Sequence, residues 1–177
     1  MITHFLHEYK RKDLILKRII IHWTGGTYAP NSSDLLHYHF VVGGSGKVHN
    51  GKFTPKDNEN CNDGRYAQHC GGGNTGSIGI SMACMYGFKD NKNVGNYPMT
   101  KIQFEACMKK VAQLSKEYNI PVNKDSILTH YEFGQTHPKT TSYGKIDIIF
   151  LPPYPHVLKK DVGNFIRNKI QWYRNRL

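Results

Sequence analysis

Hydrophobic positions along the chain change their spacing several times, and each change marks an element. Asp13 to Ile21 ends in Ile19, Ile20 and Ile21, a β-branched run that suits a pleated, buried surface, so a strand is expected there. Trp23 to Leu36 carries Gly25, Gly26, Pro30, Asn31 and Ser32, a loop composition. In residues 37–49, HYHFVVGGSGKVH, two short apolar runs flank a Gly-Gly-Ser-Gly turn and predict a hairpin. Residues 50–76 are polar and glycine-rich, while SIGISMACMYG at 77–87 reads as a strand buried on both faces.

The period then lengthens. Phe104, Cys107, Met108, Val111, Leu114 and Tyr118 recur at helical spacing behind Thr100 and Gln103, which form a capping-box pair. Pro121 puts the helix end near Asn119. Ile127 to His130 predicts a short strand and Tyr131 to Tyr143 a loop. After GKIDIIFLPPYP, the residues Val162, Phe165, Ile166, Ile170 and Tyr173 predict a last helix from about Lys159 to Arg174. Strands mixed with two substantial helices predict an α/β or α+β fold.

Composition narrows this to one domain. With 177 residues, 38% of them hydrophobic, the chain can build one proper core, and a second domain would be crowded. Lys17, Arg18, His22 and Pro152 break the apolar runs before any reaches bilayer length. Glu8 and Asp13 fall where a signal peptide needs an uninterrupted apolar stretch, so synthesis in the cytoplasm without a signal peptide is expected. Four cysteines without a CxxC pair predict free, mostly buried thiols, with a Cys61 to Cys70 bridge left open.

Charge changes the picture more. Twenty-four Lys and Arg against 13 Asp and Glu give +11, which draws the molecule to polyanions. No helix-turn-helix, RNP-like strand or zinc finger accompanies the charge, so no specific nucleic-acid partner is expected. Residues 148–177 hold six Lys or Arg against Asp161 alone, and their amphipathic helix suits anionic wall polymers or a membrane surface.

Two of the short strands end on histidine, at His22 and His130. If those strands are adjacent and parallel, both imidazoles lie at one edge of the sheet, where ligand crevices form. Imidazole is the commonest zinc ligand, and a catalytic zinc needs a third protein donor besides this pair.

The pieces IIIHWTGG, HYHFVVGGSGKVH, AQHCGGGNTGSIGISM, MTKIQF, ILTHYEF and GKIDIIF follow one another over about residues 15–150. In that order they make the chain resemble the zinc-dependent N-acetylmuramoyl-L-alanine amidases, which include phage T7 lysozyme, the AmpD-like amidases and the peptidoglycan recognition proteins. The resemblance implies a single α/β domain over residues 1–177, with a mixed central β-sheet flanked by α-helices and zinc at the sheet edge. Residues 151–177 would form a basic C-terminal helical extension.

The resemblance also implies site residues. His22 and His130 correspond to the histidine ligands and Asp147 to the third, two residues after Lys145; His137, within the apparent insertion THPKTTSYG, is the rival. Tyr38 and Lys145 take the catalytic positions, and His69 and Asn74 border the cleft as substrate contacts. AmpD-like members carry a glutamate where this chain has Ser81, which favours a T7-like arrangement. His39 is read as supporting the fold. The segment between Trp23 and Tyr38 is too short for the full helix of many relatives.

The implied activity is hydrolysis of the amide between N-acetylmuramic acid and L-alanine, in peptidoglycan or muropeptides, by a monomer. A phage endolysin released by holin action is one setting and a bacterial wall amidase another. The alternative is a peptidoglycan recognition protein of the same fold that does not hydrolyse; such relatives typically lack a complete ligand set.

Overall fold

The computed structural model describes residues 16–177. Its centre is a five-stranded sheet of β1 (Arg18–Trp23), β2 (Phe40–Val42), β3 (Val48–Asn50), β4 (Ser77–Met82) and β5 (Ile127–Thr129), in the order β3-β2-β4-β1-β5. β1 pairs in parallel with both β4 and β5, β2 pairs in parallel with β4, and only the β2–β3 hairpin is antiparallel. The sheet is therefore mixed, as expected.

Both faces of β1 are covered, which is why its apolar run does not alternate with polar residues. Ile19 and Ile21 enter the main core, and Ile20 points the other way into a smaller cluster with Cys70, Leu128 and Phe133. Among the described residues, four α-helices complete the fold: α1 (Ser32–His37), α2 (Lys101–Glu117), α3 (His130–Thr136) and α4 (Val162–Arg174). Phe104, Cys107, Met108 and Val111 of α2 and Val162, Ile166 and Ile170 of α4 join the main core.

Several boundaries differ from the sequence reading. β1 runs on through His22 and Trp23, so the histidine lies within the strand; residues 13–15 of the expected strand lie outside those described. The expected loop before Tyr38 holds the six-residue α1, started by a capping box between Asn31 and Asp34. The expected loop after β5 begins as α3 instead. Thr129 Oγ1 accepts the Glu132 N–H at 3.1 Å while the Glu132 carboxylate accepts the Thr129 N–H at 3.0 Å, a reciprocal cap that makes the strand turn into helix at His130.

The C-terminal segment is also no appendage. Leu151, Val157, Val162, Ile166 and Ile170 are core residues, so 151–177 completes the domain. Two of its cations are committed internally: Arg167 forks onto Glu132 with both contacts at 3.0 Å, and Lys169 meets Glu105 at 3.0 Å. The Arg167 fork ties α4 to the first turn of α3, the turn that carries His130. Among the described residues, no helix is long and apolar enough to cross a membrane.

Glu105 forms a second tie. It accepts from the hydroxyls of Tyr154 and Tyr173, the latter at 2.7 Å, besides meeting Lys169. Burial pushes its carboxyl up, but these three donors outweigh burial and hold it below its ordinary value. Glu105→Ala is expected to lower stability by about 1–3 kcal/mol in urea unfolding at pH 7. A depressed carboxyl stabilises above its unfolded pKa and loses that contribution as pH falls through the folded value, so the difference from wild type should fade below about pH 4.

Candidate metal centre

His22 sits near the end of β1, fully buried, and its register partner in β4 is Ser81. His130 follows β5 directly as the first residue of α3. Because β1 and β5 are adjacent and parallel, the two rings meet at the C-terminal edge of the sheet, with Nδ1 to Nδ1 3.1 Å. Asp147 Oδ2 lies 3.2 Å from each Nδ1. These three donor atoms form the one candidate metal cluster of at least three ligands among the described residues.

The backbone after the aspartate is strained. Ile148 has φ of +65°, a left-handed conformation that a β-branched residue rarely adopts, and only 1% of it is exposed. Such a conformation costs on the order of 1–3 kcal/mol and persists where packing over-determines it. Here it fixes the chain direction immediately beyond Asp147.

The electrostatics suit a cation. Burial first, and the neighbouring His130 second, push His22 down to about 4, so its ring is neutral near pH 7. Burial alone would raise Asp147, but its contacts with His130 and His22 overcome that and hold the carboxyl well below the usual range. Two imidazoles and a carboxylate are donors that zinc accepts. Tetrahedral zinc ligands at about 2.0–2.1 Å stand about 3.3–3.4 Å apart. The observed separations of 3.1 and 3.2 Å come within a few tenths of an ångström of that, so the residues fit the ion.

The outer nitrogens are engaged too. His22 Nε2 is 3.1 Å from His69 Nδ1, and His69 Nε2 is 3.4 Å from the Ser77 carbonyl. His130 Nε2 is 3.0 Å from Ser142 Oγ, which donates to the Gly71 carbonyl at 2.8 Å. Beside them His39 accepts the Gly79 N–H on Nδ1 at 2.8 Å and donates from Nε2 to Asn58 at 2.9 Å, a bracing role within the fold.

Above the cluster lies a cavity of about 370 Å³, whose lining includes Trp23, Tyr38, His69, His130, Lys145 and Asp147. The Tyr38 ring centroid is 5.1 Å from that of His22. Burial, and then the Asp147 charge, push its hydroxyl well above the ordinary value. Lys145 is exposed at the cavity wall.

The N-acetylmuramoyl-L-alanine amidase family model matches residues 12–145. The chain belongs to this family. Among solved structures, a mutant form of PlyL is 21% identical, with 88% of this chain and 84% of that one covered and a TM-score of 0.51, which shows a shared fold. Drosophila peptidoglycan recognition protein SD is 19% identical, with 71% and 74% covered and a TM-score of 0.46. The N-acetylmuramoyl-L-alanine amidase LysC from Clostridium intestinale is 17% identical, with 67% and 73% covered and a TM-score of 0.43. No curated protein matches.

Within the amidase fold, the expected site residues do not all stand alike. His137 lies apart from the cluster: its ring stacks on Phe133 at 4.0 Å and its Nδ1 donates to the Phe133 carbonyl at 2.9 Å. His69 lines the cavity, but both its nitrogens face protein partners, which leaves none free for the expected substrate contact. Asn74 is absent from the cavity lining; its side chain accepts the Cys70 N–H at 2.8 Å and braces the glycine loop instead. All four cysteines are free, so the Cys61 to Cys70 bridge does not form. Ser81 is fully buried and its Oγ has no hydrogen-bond partner among the described residues.

Ser142 is the residue that sequence reasoning missed, because it lies in the stretch taken for an insertion. That stretch interlocks with the triple glycine. A Cβ on Gly71 would collide with Thr141, and one on Gly72 with Thr140. The glycines thus allow the loop contact that brings Ser142 beside His130.

Proposed function

We propose that the chain is a zinc-dependent N-acetylmuramoyl-L-alanine amidase that cleaves the bond between the lactyl carbonyl of N-acetylmuramic acid and the L-alanine nitrogen. The observation that carries this reading is the convergence of His22, His130 and Asp147 beneath a cavity walled by Tyr38 and Lys145. Zinc held there supplies Lewis acidity towards the carbonyl and brings the pKa of a water to about 7.

The chain's own groups complete the chemistry. An amide is a poor electrophile with a poor leaving group, so the site must stabilise negative charge on the carbonyl oxygen and deliver a proton to nitrogen. Lys145 places a positive charge at the cavity wall, where it stabilises that oxygen as it gains charge. Tyr38, half-buried at the cavity wall with a hydroxyl that keeps its proton at neutral pH, orients the attacking water and helps relay a proton. Asp147 and the two imidazoles would hold the metal beside the cavity. This full donor set favours an enzyme over a recognition module that only binds the wall.

Peptidoglycan or its muropeptides are the partners on this reading, with the monomer as acting unit. Ser81 at the position of the AmpD-like glutamate supports a T7-like arrangement, and we infer a wall-degrading role of the endolysin type, with holin-mediated release from the cytoplasm.

Digestion of purified peptidoglycan with mass spectrometry of the products tests the proposal. Free stem peptides beginning at L-alanine, lost on chelation and restored by zinc, are expected; intact wall and intact muropeptides from zinc-loaded protein would defeat it. For the third ligand, Asp147→Ala should lose zinc and His137→Ala should keep it when metal content is measured by mass spectrometry. The reverse result would transfer the role to His137.

A further inference from the structure

Two hydrogen-bond chains run from backbone carbonyls to the two imidazoles, and together they decide where the imidazole hydrogens sit. The Ser77 carbonyl can only accept, so His69 Nε2, facing it at 3.4 Å, carries the hydrogen. A neutral His69 then has its lone pair on Nδ1, and His22 Nε2, 3.1 Å away, must supply the hydrogen between them. On the other side Ser142 spends its hydrogen on the Gly71 carbonyl at 2.8 Å, so its oxygen accepts from His130 Nε2 at 3.0 Å. Both Nδ1 lone pairs therefore face Asp147 Oδ2 at 3.2 Å, with no hydrogen among the three atoms.

We propose that His69 and Ser142 are positioning residues for the metal centre, each locking one histidine in the tautomer that presents Nδ1 to the ion. This rests on the zinc reading above. The opposite tautomer of His22 would place a hydrogen on Nδ1, block coordination and leave the Ser77 carbonyl facing a lone pair.

The geometry around both residues holds them still. The His69 ring lies against position 79 of β4, where a Cβ would strike it, so only glycine leaves room for the ring. Ser142 is fully buried, with its backbone packed so closely on Gly134 that a Cβ there would collide with its carbonyl. The Cys70 thiol, 3.3 Å from Ser142 Oγ, adds a further polar contact to the hydroxyl. Each imidazole is thus addressed from the protein side by a partner that cannot readily turn away.

Asparagine and leucine share a side-chain skeleton, and asparagine keeps an acceptor close to the position of His69 Nδ1. His69→Leu, His69→Asn and Ser142→Ala are compared with wild type in the metal-free state. Zinc affinity is measured by competition with a chromophoric chelator, and the visible spectrum is recorded after cobalt loading. His69→Leu should bind zinc about 10–100-fold more weakly with an altered cobalt spectrum, His69→Asn should recover most of that loss, and Ser142→Ala should lose about 10-fold.

Equal affinities for His69→Leu and His69→Asn, or wild-type affinity for Ser142→Ala, would overturn the inference. Should His69→Leu fail to fold, Ser142→Ala decides alone. Wild-type protein that binds no zinc would overturn the metal reading itself, a result distinct from either.

Discussion

His22→Ala protein is expected to purify without stoichiometric zinc and to release stem peptides from peptidoglycan about a thousandfold or more slowly than wild type, because several kcal/mol of charge stabilisation go with the ion. His22 lies in β1 between β4 and β5, fully buried, and its Nδ1 meets both His130 and Asp147. Its removal leaves two donors, too few for a catalytic zinc. His130→Ala should behave alike. Metal analysis and turnover must fall together, with unfolding curves of the metal-free proteins reporting whether the sheet survives. A His22→Ala protein with one tightly held zinc would refute the assigned site.

Lys145→Ala should separate the two properties. Lys145 is exposed at the cavity wall and contributes no atom to the donor cluster, so the variant should keep its zinc and its stability. Its kcat should fall about 100–1,000-fold, the cost of removing one group that stabilises developing charge on an acyl oxygen. Lys145→Arg should recover part of the loss by restoring the charge with altered geometry. Loss of zinc from Lys145→Ala, or an unchanged kcat, would remove the residue from the mechanism.

Much of this arrangement could be read in the chain. The isoleucine run that stops on His22 and the short strand before His130 both carry a polar residue where the apolar pattern breaks, and the parallel pairing brings the two together. The capping box at Thr100 and the end near Asn119 are equally local signals, the latter matching a left-handed Asn119 with φ of +52°. What stayed hidden depends on contacts between distant segments. α3 spans only seven residues, too few to show a helical period, and Gly134 within it reads as a breaker. Ser142 and Asn74 owe their roles to the interlocked loops, and no spacing along the chain reveals which hydroxyl or amide a folded loop will face. The charge of the C-terminal segment was legible, but the Arg167 and Lys169 ion pairs within it were not.

The donors come from far apart in the chain: His22 is 108 residues from His130 and 125 from Asp147. The pairing of β1 with β4, Arg18 beside Ser77, itself closes a span of 59 residues. Parallel pairings of this kind meet their loop-closure entropy before contacts repay it, which makes for slow folding. His22 stands on β1 and His130 directly follows β5, so on the proposed reading the two imidazoles come together with that long-range pairing. Interactions formed late act on the unfolding rate. On the proposed reading, zinc prolongs the lifetime of the folded enzyme without hastening its formation.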